Sequence, residues 1–312
     1  MTTHDCGRGY QLVAPEHGVV ASTEVAEPGP DQVLMRVIAN GVCASDLATW
    51  SAGPTAGPLE LGHEPVGTVV ATGAGVDLAA GTFITGRITP SYASHVLADI
   101  RDVVAVPVGL DPQLAIGEPL GCVAEGFRRT PFHLADRVAV IGLGFMGLLM
   151  VQFVRWAATA AIIAVDVRDD AQASALRHGA DMAYHPASLP AETVNSGFDV
   201  VVEATGSQAG LDLATALVRP HGVISILGYH QATRSVDMAA WNWKAIDVVN
   251  AHVRDRDLLR ESTRRGLELV AANKIDLSGL ITHRFTLDRV DDAFATLRAK
   301  PPGFVKAMIT IE

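Results

Sequence analysis

Cysteine is scarce in this chain of 312 residues: Cys6, Cys43 and Cys122 stand far apart at uneven spacing. An odd, scattered set excludes a disulfide framework and fits a reducing compartment, so a cytoplasmic protein is expected. Basic residues are also few, 24 Lys and Arg against 34 Asp and Glu, for a formal net charge of -10. Nucleic-acid binding draws most of its affinity from Lys and Arg clusters, and without such a run no nucleic-acid partner is expected. Long unbroken apolar runs are missing too. The passage from Val138 to Val165 is interrupted by Gly142, Gly144, Gly147, Gln152, Arg155 and Trp156, which suits a buried strand-turn-helix-strand better than a bilayer span. The first twenty residues hold Asp5, Arg8, Glu16 and His17 and no apolar stretch, so neither a signal peptide nor a membrane association is expected.

What the chain does have is length and apolar texture. It exceeds the size at which one core usually keeps growing, and 49% of its residues are hydrophobic, so two domains are expected. Residues 1–118 contain short β-branched runs, such as Val33-Leu34-Met35-Arg36-Val37-Ile38, broken by Gly and Pro, which predicts a β-rich domain with few helices. From Arg137 to about Asn250, strands at 138–141, 161–166, 199–203 and 223–227 alternate with helical stretches such as 145–157 and 171–178. That alternation predicts βαβ units in a doubly wound parallel sheet, an α/β domain. Past Asp255 the texture is mixed again, with helices near 258–272 and 290–298 and strands near 284–287 and 305–311. The expected division sets 1–122 with 255–312 against 123–254.

The clearest motif is Gly142-Leu143-Gly144-Phe145-Met146-Gly147. A strand delivers Gly142; Gly144 lets backbone approach a pyrophosphate; Gly147 lets the next helix pack close to the sheet. The helix N-terminus offers the anion free N–H groups and a favourable dipole. Asp166 closes the next strand, nineteen positions after Gly147, where it can accept hydrogen bonds from the adenosine ribose and repel a 2′-phosphate. NAD is therefore expected ahead of NADP, although Arg168, two positions on, could swing toward a phosphate.

A second constellation is spread along the first domain: Cys43 and Asp46 in Gly41-Val42-Cys43-Ala44-Ser45-Asp46, His63-Glu64 after Gly62, and Glu118 before Pro119. Thiolate, imidazole and carboxylate together suit a catalytic Zn²⁺, where three protein ligands leave one position open. Taken singly, each has an ordinary structural explanation: a small buried thiol, a satisfied core imidazole, a Glu-Pro helix start.

With these residues in view, the chain resembles the medium-chain dehydrogenase/reductase superfamily, in its zinc-containing polyol, threonine and glucose dehydrogenase branch. The resemblance rests on 41–46, on Leu61-Gly62-His63-Glu64 with Gly67-Thr68-Val69-Val70, on 118–122, on 142–147, on Glu203-Ala204-Thr205-Gly206 and on Leu227-Gly228-Tyr229. It implies a Rossmann domain beside a GroES-like catalytic domain. It also implies that Cys43, His63 and Glu118 ligate one catalytic zinc, with Glu64 as an exchangeable ligand or neighbour. Asp46 would fix the His63 tautomer, and Ser45 would relay the substrate's proton. Leu143, Phe145, Met146, Thr205, Leu227, Gly228, Tyr229 and Lys306 would line the cofactor, Lys306 at its pyrophosphate. The implied reaction passes a hydride between a secondary alcohol, polyol or sugar-like, and NAD(P), giving the ketone, in an enzyme expected to be a homodimer.

Two departures from the family pattern stand out. The interval 65–117 has no cysteine, so the four-cysteine lobe of relatives with a structural zinc is absent. Ala48 occupies the place of a relay histidine in alcohol dehydrogenases of the family. Cys122, four residues after Glu118, is expected in core packing. The stretch from Tyr229-His230-Gln231 to Trp241-Asn242-Trp243-Lys244 could wall a sugar pocket, with His230 or Asn242 taking hydroxyls, or pack on a second subunit. Two other functions compete: a lyase or isomerase using tightly held NAD for transient oxidation, and a non-catalytic dinucleotide-binding protein.

Overall fold

The computed structural model describes residues 6–311 and divides into two compact units. One comprises the chain up to Gly121, Asp255–Asn273 and the chain from Leu277; the other is Cys122–Arg254 with Lys274–Asp276.

The first unit opens on an antiparallel hairpin, β1 (Cys6–Ala14) and β2 (His17–Glu24). Strand β3 (Gln32–Gly41) follows, almost wholly buried as its β-branched run requires, then a short helix α1 (Leu47–Ala52). Strands β4 (Pro65–Thr72), β5 (Phe83–Gly86), β6 (His95–Asp99) and β7 (Val103–Ala105) complete its first part. Helix α2 (Gly117–Arg129) contains the division between the units.

The second unit alternates strand and helix: β8 (Arg137–Ile141), α3 (Phe145–Val154), β9 (Ala161–Val165), α4 (Asp169–Arg177), β10 (Met182–Tyr184), α5 (Ala191–Ser196) and β11 (Phe198–Glu203). After these come α6 (Gln208–Leu217), β12 (Val218–Ile226), α7 (Met238–Lys244) and β13 (Asp247–Asn250). All six strands are parallel in the order β10-β9-β8-β11-β12-β13, the doubly wound Rossmann arrangement predicted from the alternation. The order reverses between β8 and β11, and in such sheets ligands bind outside the carboxyl ends of the strands at that point. Nine of the ten residues of α3 are buried, Met146 being the exception. A helix apolar all round belongs inside an α/β domain, and no described helix is long and apolar enough to cross a membrane.

The chain then returns to the first unit with α8 (Arg256–Ala271), whose N-cap Asp255 accepts from the Leu258 amide, then β14 (Ile281–Thr286), α9 (Val290–Ala299) and β15 (Lys306–Thr310). The sheet of this unit runs β14-β15-β3-β4-β5-β7, with β6 also on β3; β15 is antiparallel to β3 with Met308 opposite Gly41. One core packs Leu12, Val42, Trp50, Tyr92 and Phe294, with Trp50 stacked on Phe294 at 5.4 Å between ring centroids. Asp291 on α9 ties this corner together, accepting from Tyr10 Oη at 2.5 Å, Trp50 Nε1 at 2.8 Å and the Gly18 amide at 2.9 Å. Burial first, then the Asp291 carboxylate, pushes the Tyr10 hydroxyl well above its ordinary pKa, so it remains a donor.

Candidate active site

In the first unit, β3 ends at Gly41 and delivers Cys43, while His63 and Glu64 lie immediately before β4. The two segments are joined by the Gly41 amide to the Glu64 carbonyl at 3.0 Å and by the Glu64 amide to Asn40 Oδ1 at 3.2 Å. The result brings one donor atom each of Cys43, His63 and Glu64 within 4.8 Å of one another. Gly41 is required here sterically, because a Cβ at that position would run into Glu64 Oε2. Asn40, fully buried, also donates from Nδ2 to the Ser91 carbonyl at 2.6 Å and to the Ser91 hydroxyl at 2.7 Å, so the segment carrying Glu64 is fixed from behind.

Asp46 Oδ2 lies 3.2 Å from His63 Nδ1, and Ser45 Oγ donates to Cys43 Sγ at 3.2 Å. Burial lowers the His63 pKa, but Asp46, the Cys43 thiolate and Glu64 outweigh it and push it up to about 11. Glu118, at the start of α2, is buried but outside the Cys43–His63–Glu64 group, as is the half-buried Cys122.

Lys306 departs from expectation. It does not stand ready for a pyrophosphate but is buried in β15, with Nζ 2.9 Å from Glu64 Oε1 and 2.7 Å from Oε2. Burial lowers the lysine's pKa, yet the charges of Glu64, Cys43 and Glu118 raise it on balance, so the lysine keeps its charge. The sequence signal was easy to miss, since the partners are 242 positions apart.

These residues fit a metal ion. Asp46 Oδ2 faces His63 and Glu64 Oε2 faces Lys306 as ion pairs, and neither buried oxygen makes a further hydrogen bond. Buried acceptors are normally satisfied, and thiolate, imidazole and carboxylate at this separation are the donor set zinc takes.

In the second unit the glycine turn follows β8. Gly142 has φ +91°, and a Cβ on Gly147 would strike the Gly142 carbonyl, so both glycines are demanded by the protein itself. Gly144 is different: its φ of −76° suits any residue, and a Cβ there would meet nothing within 4 Å. No contact within the protein explains this glycine; the close approach of a phosphate does. Gly144→Ala is expected to leave unfolding unchanged and to weaken NADH about tenfold or more by fluorescence titration. Gly147→Ala should cost about 1–3 kcal/mol of stability through overpacking. Equal stability of the two variants would refute the distinction.

Asp166 follows β9. Its Oδ2 accepts from the Leu143 amide at 2.7 Å, and its Oδ1 from the Arg168 amide at 3.0 Å and Nε at 3.3 Å. Phe145 and Met146 form the first turn of α3, while Thr205 follows β11 and Leu227, Gly228 and Tyr229 follow β12. Glu203, fully buried at the end of β11, binds the Thr205 amide at 2.7 Å and the Gly206 amide at 3.0 Å, and the Leu227 and Gly228 amides bind its carbonyl, each at 2.8 Å.

His230, one of the two candidates for a sugar hydroxyl in the pocket reading, is engaged within the protein. Its Nε2 lies 2.9 Å from Glu203 Oε2, and its Nδ1 accepts from Arg234 Nε at 3.0 Å, which places the Nε2 hydrogen toward Glu203. The two tryptophans of 229–244 separate: Trp241 donates to Thr215 Oγ1 at 2.9 Å, while Trp243 is 91% exposed.

A doubly wound parallel sheet with such a turn, and a second unit with a thiolate–imidazole–carboxylate cluster, are the features shared with nucleotide-linked, metal-using oxidoreductases. Residues 29–128 match the alcohol dehydrogenase GroES-like domain family and residues 146–272 the zinc-binding dehydrogenase family. The chain belongs to the zinc-containing alcohol and polyol dehydrogenase branch of the medium-chain dehydrogenase/reductase superfamily, and it is an oxidoreductase. It is 30% identical to a "Probable zinc-binding alcohol dehydrogenase" of Mycobacterium tuberculosis, over 88% of this chain and 81% of that one. It is 26% identical to an L-threonine 3-dehydrogenase of Pyrococcus abyssi, over 95% and 96%. A candidate zinc-binding dehydrogenase of Sinorhizobium meliloti 1021, solved bound to NADP, superposes with a TM-score of 0.86 at 26% identity, covering 98% of this chain and 99% of that one. The first unit is thus GroES-like, as the resemblance implied.

Proposed function

We propose that the chain oxidises a secondary alcohol, polyol or sugar-like, to the ketone with NAD as hydride acceptor, using one zinc ion at Cys43, His63 and Glu118. Glu64 serves as the exchangeable neighbour. The observation that carries this reading is the cluster of Cys43, His63 and Glu64, one donor atom of each within 4.8 Å of the others, in a chain that also has the glycine turn. Zinc, when bound, supplies a Lewis acid that makes an alcohol easier to deprotonate, and the nicotinamide supplies the hydride chemistry.

The protein's own groups supply position and proton movement. Asp46 orients the His63 ring. Ser45 has a hydroxyl, now directed at Cys43, that can pass on the substrate's proton, a role that falls to it because Ala48 has no ionisable group. Gly142–Gly147 and the α3 N-terminus hold the pyrophosphate. Asp166 favours NAD over NADP, since its carboxylate opposes a 2′-phosphate.

A homodimer in the cytoplasm completes the proposal. Support for the dimer is the exposed edge strand β13, with Val248 on it 40% exposed and Trp243 on the preceding α7 91% exposed. A screen of secondary alcohols, inositols and sugars with NAD and NADP, with zinc measured on the same sample, tests the function. Turnover without net NADH release would favour the lyase or isomerase instead, and a zinc-free sample with full turnover would refute the metal's role.

A further inference from the structure

Glu203 closes β11 beside the point where the strand order of the second unit reverses, opposite Ile141 of β8 on one side and Ile226 of β12 on the other. It is fully buried, and four backbone amides from two turns converge on it. Its side chain takes those of Thr205 and Gly206, and its carbonyl takes those of Leu227 and Gly228. The turns also approach each other directly: a Cβ on Gly228 would meet the Gly206 nitrogen at 2.3 Å and Glu203 Oε2 at 2.5 Å.

A second connection runs through side chains. His230, largely buried, places Nε2 2.9 Å from Glu203 Oε2. Arg234 donates from Nε to His230 Nδ1 at 3.0 Å and from Nη2 to the Gly206 carbonyl at 2.8 Å, while Gly206 donates its amide back to Glu203. Glu203, His230, Arg234 and Gly206 therefore form a closed ring of hydrogen bonds, two members from each segment. Charged members strengthen such bonds, and a ring whose members are all partnered holds both segments in one arrangement. The sheet does not need this ring, because the Leu227 and Gly228 amides already join the strand ends. What it makes rigid lies beyond the strands, at 205–206 and 228–234.

What these turns can receive follows from the amides they have already used. Besides those four, the Ala204 amide binds the Ile141 carbonyl, that of Ser207 binds Thr205 Oγ1, and that of Gly210 binds Ser207 Oγ at the start of α6. A phosphate draws on amides without acceptors, so these turns do not suit one. A dinucleotide on a doubly wound sheet lies across the carboxyl ends of the strands at the reversal. With its pyrophosphate at the turn after β8 and its adenosine ribose at Asp166 after β9, the half that falls over the β11 and β12 turns is the nicotinamide riboside.

We infer that His230 and Arg234 are positioning residues for the cofactor: through Glu203 and Gly206 they lock the turn after β12 onto the turn after β11, and so hold the surface that the nicotinamide riboside meets. A surface ordered in advance loses less freedom when the ligand arrives. The inference rests on the dehydrogenase reading and adds to it two residues that act through others.

The test compares NADH with ADP, which lacks the nicotinamide and its ribose, by titration calorimetry on full-length wild type, His230→Leu, His230→Gln and Arg234→Met. His230→Leu and Arg234→Met are each expected to weaken NADH about tenfold or more, the worth of a hydrogen bond to a charged group, and to leave ADP within about twofold. His230→Gln, whose amide can still donate to Glu203, is expected to restore most of the NADH affinity.

Equal weakening of NADH and ADP, or loss of both together with the fold, assigns the ring to the stability of the unit; the inference is then overturned and the dehydrogenase reading stands. Unchanged NADH binding in His230→Leu and Arg234→Met overturns it as well, and so does a His230→Gln variant no better than His230→Leu. Wild-type protein that does not bind NADH overturns the dehydrogenase reading itself, and the inference with it.

Discussion

Cys43→Ala and His63→Ala are each expected to yield folded protein without stoichiometric zinc, with kcat/KM down by about a thousandfold or more. The size follows from what the metal does: Lewis-acid stabilisation of developing charge is worth several kcal/mol, and each 1.36 kcal/mol is a factor of ten in rate. Neither side chain has a second role large enough to mimic this loss. Both belong to the cluster whose donor atoms lie within 4.8 Å of one another, so removing one donor leaves the remaining groups unable to enclose an ion. Asp46→Asn should be milder, about 10–100-fold in metal affinity, because it disturbs the orientation of His63 and removes no ligand. Metal analysis and steady-state rates on the same preparations decide the matter. Full activity in a metal-free Cys43 variant would end the zinc mechanism.

Lys306→Met is expected to destabilise the protein by about 3–5 kcal/mol, because it strands the Glu64 carboxylate in the interior without its counter-charge. The double variant Lys306→Met/Glu64→Gln should regain a large part of that loss, since no uncompensated charge remains. Urea unfolding of the metal-free proteins measures both. The pH dependence has a definite sign. The folded state raises the lysine's pKa, so the stabilisation is complete below the ordinary lysine value of about 10.4 and is lost as pH rises through the higher folded value. The gap between wild type and Lys306→Met should therefore be flat from about pH 7 to 9. A gap that closes within that range, or a double variant less stable than the single, would contradict the ion pair.

The parts of the fold most legible in the sequence were those where one physical rule dominates. Strands β8 and β9 and helix α3 are buried on all sides, so their apolar runs and glycine turn identified them directly. Strand β10 has only three residues, and β13 is an exposed edge with two polar residues in four, so neither made a recognisable pattern. Helix α3 was expected to reach Ala157 but ends at Val154, since the apolar composition continues past the last helical hydrogen bonds.

In the site, Cys43, His63 and Glu64 could be named from residue type because their chemistry is unusual. Asn40 escaped notice, although a lone amide in the run Val37-Ile38-Ala39-Asn40-Gly41 was a usable clue, since a polar side chain on a buried strand needs a partner. Lys306 and His230 have partners that residue type and spacing do not reveal, for one shared reason. A side chain's partner decides its role, and Glu64 and Glu203 lie 242 and 27 positions away from them.

Strand β15 lies inside its sheet, between β14 and β3. This gives the protein a timetable. On the ribosome, Gly41 waits for its partner Met308 while 267 further residues are made, roughly 13 to 53 seconds at ordinary rates of synthesis. The six-stranded unit is nearly continuous in sequence and can close during that delay. The metal cluster cannot, because the lysine that neutralises Glu64 arrives with the same late strand. Zinc capture in the newborn chain therefore belongs to the last moments of synthesis or after it, and the dinucleotide unit is ready first.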